Sequence, residues 1–209
     1  GFGLRLRLYL RGGLSAPMVA QVIAHSMVTN WLGYLWVTGA VLLASPPRLP
    51  GDWAPGDALL RAIGALMVAL AFAYVALCAA SRQRTLRWRT HALALPDGRL
   101  AVAQALMGGA SWCLMGAIVW VLFAGQADYP TLLGALLMAA VAGVITHVPA
   151  GLGVLEAVFV ATLSGQVNAT EVLAAVLAYR AAYYLLPLAL ALPAYALSEV
   201  AARRRSPQH

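Results

Sequence analysis

The stretch Thr146–Phe159, THVPAGLGVLEAVF, places a proline, two glycines and a carboxylate inside sequence that otherwise reads as lipid-soluble helix. Pro149 removes a backbone donor, and Gly151 and Gly153 allow conformations closed to other residues, so the helix breaks over 149–153. The apolar segments on either side, 131–148 and 152–165, are both shorter than the ~20 residues that cross a ~30 Å hydrocarbon core. They form either two short spans or a re-entrant hairpin, and both leave the number of crossings odd. Non-helical backbone at membrane depth is tolerated only when buried in protein or lining a watery cavity, which makes the elbow a candidate site.

Outward from the elbow, the composition gives the fold class. Of 209 residues, 62% are hydrophobic and 10% charged, with a mean hydropathy of +0.80, far from the balance of a soluble domain. The expected fold is all-α: a polytopic integral membrane helical bundle with a Pro/Gly-broken, re-entrant or twice-spanning helix pair. Apolar helix runs from about Pro17 to Ala44, behind a cap-like Ser15. Proline- and glycine-rich sequence at 45–57 ends it, and further spans follow at 58–80, 100–124 and 171–201. Residues 1–209 read as a single transmembrane domain, and a start at Gly-Phe-Gly reads as the C-terminal part of a longer membrane protein.

The net charge of +7 comes from arginine without lysine. Arginines gather at 1–13, 82–99 and 203–205, beside the spans, where the positive-inside rule puts them in the cytoplasm of a cell-membrane protein. The C-terminus is then cytoplasmic and the loops around Asp52 and Asp128 face outward. No soluble basic domain remains to bind nucleic acid. Cys78 and Cys113 lie within apolar segments without metal-ligand spacing. No nucleophile motif, metal motif or phosphate loop is present, so the sequence calls for no catalytic residue, metal or cofactor.

Glu156 and Arg180 are the ionisable residues that no placement moves out of an apolar segment. Unpaired, each would cost about 2.5–3.5 kcal/mol at mid-depth. They lie twelve residues either side of Asn168, where Asn168-Ala-Thr170-Glu171 reads as a turn and a helix cap. Antiparallel helices about that turn bring the pair to one depth. Helical spacing puts Arg180, Tyr183, Tyr184 and Pro187 on one face. The pair either locks two helices together or forms a phosphate site, with Arg180 as a bidentate fork and Glu156 as its resting counter-ion. His147 ends a ladder of small residues, Ala135, Ala139 and Gly143, that admits close helix packing. Gln21, His25 and Thr29 make a polar stripe in the first span, which lines a path or bonds across helices.

Four pieces carry a family likeness: RLRLY (Arg5 to Tyr9), WLG (Trp31 to Gly33), HVPAGLGVLEA (His147 to Ala157) and YRAAYYLLPL (Tyr179 to Leu188). In these the chain resembles the flippase-like membrane domain of lysylphosphatidylglycerol synthases, with Ala150 standing where the family usually has glycine. The resemblance implies a membrane protein that moves or binds lipid and lacks the synthase domain. Its partners would be membrane lipids, anionic or aminoacylated phospholipids above all, and homo-oligomerisation stays open. The implied head-group site comprises Arg180, Glu156, Tyr179, Tyr183, Tyr184, His147, Pro149, Gly151 and Gly153, with Arg5 and Arg7 gathering lipid at the cytoplasmic surface. The alternative is a non-transporting scaffold in a lipid or cell-envelope assembly.

Arginine placement alone generates a topology test. Cysteines introduced at 82–99 are expected to be shielded from an impermeant thiol reagent on intact cells, and cysteines beside Asp128 to react. The reverse pattern would invert the orientation.

Overall fold

Prolines, glycines and acidic caps set the helix ends. The computed structural model describes residues 15–47, 56–81, 85–88, 91–94, 96–193 and 195, without the side chains of 16, 17, 85–88, 91–94, 150 and 184. Arg5, Arg7, Arg82, Arg84, Arg89 and the C-terminal arginines lie outside the described residues. The chain forms two compact units, Gly1–Gly116 and Ala117–His209, with the boundary inside a helix.

In the first unit, α1 (Ala16–Ala44) follows Ser15 with a proline in its first turn, although the Ser15 side chain makes no capping bond. Helix α2 (Asp57–Ala80) follows the proline-rich connection. The arginine-rich connection after it, expected to be loop, contains a two-stranded antiparallel ladder, β1 (Thr85–Trp88) and β2 (His91–Ala94), with Thr85 opposite Ala94 and Trp88 opposite His91. Helix α3 (Gly98–Leu122) then begins behind Asp97, whose Oδ1 accepts the Leu100 N–H at 2.8 Å.

Two glycine crossings hold this unit together. A Cβ on Gly39 would stand 2.7 Å from the Gly64 carbonyl oxygen, and one on Gly64 2.8 Å from that of Gly39, so α1 and α2 meet backbone to backbone. A Cβ on Gly33 would overlap the Gly108 backbone, and one on Gly108 the Thr29 carbonyl. Helices that share lipid as solvent gain no hydrophobic drive from meeting, and close approach lets dispersion and hydrogen bonds do the work. The α1–α3 crossing uses both. The Trp36 indole donates to the Ala105 carbonyl at 2.8 Å and the Trp112 indole to the Asn30 carbonyl at 3.3 Å, each reaching from one helix to the other. Tyr34 fits edge-on between Trp31 and Trp112, with ring centroids 5.7 and 5.4 Å away.

The second unit contains α4 (Tyr129–Thr146), a 3₁₀ turn (Pro149–Gly151), α5 (Val154–Thr162) and α6 (Ala169–Arg180). A π-helical segment, Ala181–Leu185, continues α6, and α-helix resumes to Pro193. Asp128 caps α4 by accepting the Thr131 N–H at 3.2 Å, and Asn168 caps α6 by accepting that of Thr170 at 3.0 Å. Phe123 stacks on Phe159 of α5, with both rings buried.

Among the described residues, five helical stretches are long and apolar enough to cross a membrane: Met18–Ala44, Asp57–Ala80, Gly98–Leu122, Tyr129–Thr146 and Ala169–Pro193. Large apolar side chains such as Leu66, Phe72, Leu106 and Val121 are exposed along them, as lipid-facing residues are. The protein is thus an all-α polytopic helical bundle, to which the short ladder is the one addition among the described residues. Of the broken pair, α4 at about 27 Å approaches span length, whereas the nine residues of α5 reach only about 13 Å. The two apolar segments read from the sequence, 131–148 and 152–165, thus correspond to one near-full helix and one half-helix.

Replacing Gly108 with leucine is expected to cost about 1–3 kcal/mol by forcing α1 and α3 apart. Gly56→Ala, where a Cβ meets nothing within 4 Å, should stay within about 0.5 kcal/mol of the parent. Thermal unfolding in detergent measures both.

Candidate functional site: an ion pair at a broken helix

The elbow between α4 and α5 is built from left-handed residues. His147 ends α4 at φ 53°, Gly151 ends the 3₁₀ turn at φ 58°, and Gly153 opens α5 at φ 78°. No atom lies within 4 Å of a Cβ built on Gly151 or Gly153, so conformation and not space calls for glycine there. Val148 accepts the Gly151 N–H at 2.9 Å and Pro149 the Leu152 N–H at 3.3 Å, which closes the turn on itself. The ladder of small residues runs to this point: Ala135 and Ala139 are buried, and a Cβ on Gly143 would lie 4.0 Å from the Gly151 Cα.

Glu156 stands third in α5, where a carboxylate reaches back to the N-cap amide, and it accepts the Gly153 N–H. Arg180 ends α6. Its Nε donates to Glu156 Oε1 at 2.6 Å and its Nη2 to Oε2 at 3.1 Å, the parallel two-bond fork that a planar guanidinium forms with a carboxylate. Nη2 also donates to the Gly151 carbonyl at 2.7 Å. One arginine thus ties the C-terminal end of α6 to the carboxylate at the start of α5 and to the elbow itself. The side chains of Arg180 and Glu156 are 12% and 17% exposed, so the pair is largely withdrawn into the unit.

The other predicted site residues divide. Gly151 and Gly153 belong to the pair's immediate surroundings, but Gly151 presents its carbonyl, and the amides of residues 151–153 are engaged within the elbow. Pro149 is exposed on the turn, and the exposed His147 ring bonds the Ile145 carbonyl through Nδ1 at 2.9 Å. Tyr183, within the π-helical segment, stacks on the buried Tyr179 four residues before it at 5.5 Å. Pro187 accounts for that segment: it has no N–H for the residue-183 carbonyl and its ring crowds it, and the ladder loosens just upstream, with the Leu186 N–H reaching back to the Ala181 carbonyl. The Tyr184 side chain, Arg5 and Arg7 lie outside what is described.

Sequence reasoning passed over Gln104. This buried amide on α3 donates from Nε2 to the His25 carbonyl at 3.5 Å and faces the predicted stripe of Gln21, His25 and Thr29. A lone amide in an apolar span, four residues before Gly108-Gly109, was the available signal.

Fold and site together define a multi-pass α-helical membrane protein with a charged pair fixed at a broken helix. No protein-family model matches the chain. Over 205 residues it is 40% identical to the protein named Inner membrane protein YbhN of Escherichia coli (strain K12), covering 98% of this chain and 64% of that protein. It is 33% identical over 214 residues to Uncharacterized protein slr0712 of Synechocystis, covering 98% of this chain and 65% of that one. The chain thus spans just under two thirds of the length of these relatives. With five span-length apolar helices, the first relationship supports a multi-pass inner membrane protein.

The elbow's left-handed backbone gives a graded test. Gly153→Val should lower stability by more than about 1 kcal/mol, Gly153→Ala by about 1 kcal/mol, and Gly153→Asn least, since asparagine tolerates that conformation best of the three. Equal thermal midpoints for all three in detergent would mean that α5 can start without the left-handed turn.

Proposed function

We propose that the protein binds or translocates the head group of a membrane phospholipid, with Arg180 as the phosphate-binding group. The observation that carries this reading is the fork between Arg180 and Glu156 at a broken helix within an apolar unit. Ionisable side chains are rare in such surroundings and mark ligand pathways, and irregular backbone there belongs to sites. A guanidinium that holds a carboxylate by two parallel bonds has the shape to hold two phosphate oxygens instead. Glu156 then serves as the counter-ion that keeps Arg180 neutralised between ligands, or as a partner for the amine of an aminoacylated head group. The likeness to the membrane domain of lysylphosphatidylglycerol synthases points to the same anionic or aminoacylated lipids, and cytoplasmic Arg5 and Arg7 would concentrate them at the inner surface. Because the chain covers about two thirds of its relatives, the activity of any longer protein is part of the proposal.

The second reading is a non-transporting scaffold, favoured by the third bond to Gly151, which makes Arg180 a structural tie between α6 and the elbow. Three variants separate the two: Arg180→Lys, Glu156→Gln and the exchanged Arg180→Glu/Glu156→Arg protein. Removing a buried partner costs up to about 3–5 kcal/mol, and a pure lock should recover on exchange. A phosphate site predicts that Arg180→Lys stays folded, because the charge remains, yet loses transport, because the fork is gone. Thermal stability in detergent is measured beside leaflet-resolved movement of phosphatidylglycerol in proteoliposomes. Transport that merely follows stability across all three would leave the scaffold.

A further inference from the structure

A groove of about 750 Å³ opens in the first unit between the N-terminal parts of α1 and α3, beside the Gly33–Gly108 crossing. Among the described residues its walls carry amides, hydroxyls and an imidazole, and no acidic side chain, lysine or arginine. Much of that polarity is already used. Ser26 and Thr29 donate to the Val22 and His25 carbonyls of their own helix, and the His25 ring bonds the Gln21 carbonyl. Gln104 is different: it is 4% exposed, its amide nitrogen is turned to the His25 carbonyl, and its Oε1 has no hydrogen-bond partner. A buried acceptor without a donor is expensive anywhere, and more so where lipid replaces water. Measured from Gly98, Gln104 lies about 9 Å along α3 and Ser111 about 20 Å, within the thickness of a ~30 Å core. At the groove's rim Met18, Val22, Leu100 and Met107 are exposed and apolar.

We infer that this groove binds an uncharged, hydroxyl-bearing lipid head group, a sugar or glycerol attached to diacylglycerol, which donates to Gln104 Oε1 while its acyl chains lie along the apolar rim. The lining decides the class. The described amides and imidazole match hydroxyls, and by themselves they give little hold on a phosphate. A polar floor with a greasy rim matches an amphiphile, and lipid is the molecule that surrounds span-length helices. The proposal stands on residues of α1 and α3 alone and does not depend on the role given to Arg180.

The test is native mass spectrometry of the full chain released from detergent, with glucosyl-diacylglycerol or phosphatidylcholine as the probe. One glucosyl-diacylglycerol should remain bound, at least tenfold in excess over phosphatidylcholine, whose head group has no donor. Gln104→Leu should abolish that preference while the thermal midpoint holds or rises, since the orphan acceptor is gone. If Gln104→Leu misfolds, Ser26 replaced by a photoreactive phenylalanine analogue gives the second readout in membranes containing both lipids. A glycolipid adduct supports the site. Equal retention of both lipids, an unchanged preference in folded Gln104→Leu, a phosphatidylcholine adduct, or an adduct of protein mass from a helix seated in the groove would overturn it.

Discussion

Charge surrounded by apolar helix is the constraint on which the second unit depends, because Arg180 and Glu156 unpaired would each cost about 2.5–3.5 kcal/mol. Pairing fixes more than the two residues. For Arg180 to reach a carboxylate in the first turn of α5, α6 must fold back along α5 about the Asn168 turn. For the same guanidinium to reach the Gly151 carbonyl, the chain must bend between α4 and α5. The left-handed glycines make that bend possible, and the arginine selects one geometry from those they allow. Elbow, half-helix and long helix are therefore consequences of a single polar requirement.

The first unit solves a related problem without charge. Its helices approach so closely at Gly33–Gly108 and Gly39–Gly64 that no side chain separates them, and tryptophan donors use carbonyls exposed by that approach. Arg61 does the same at a helix end, donating to the Leu43 carbonyl at 2.6 Å. In lipid a free carbonyl at a helix terminus finds no water, so a basic side chain from the next helix is a fitting cap.

Helix existence was legible because apolar runs of span length leave little else to form, and the start of α6 at Asn168 followed from capping chemistry, whereas Asp128, the cap of α4, was read only as an outward loop. The meeting of Glu156 and Arg180 was legible from their equal distance to Asn168. What escaped had no periodic signal. The length of α5 depends on where the elbow's backbone returns to helix, and Gly153 sets that point through a dihedral angle that spacing does not encode. The π-helical segment after Arg180 was not foreseen, because helical spacing assumes an unbroken α-helix. Gln104 was missed since its partners are on a helix 79 residues away in sequence.

The segment Ala181–Leu185 carries a consequence of its own. A π-helical turn holds one residue more than an α-helical turn, so it acts as a phase offset between the two halves of a single rod. Upstream, the azimuth of the rod is dictated by the aim of Arg180. Downstream, residues 186–193 present a face turned by that offset from the one an unbroken α-helix would give them. A one-residue deletion in the segment would restore an even helix and swing the entire lower half about its axis.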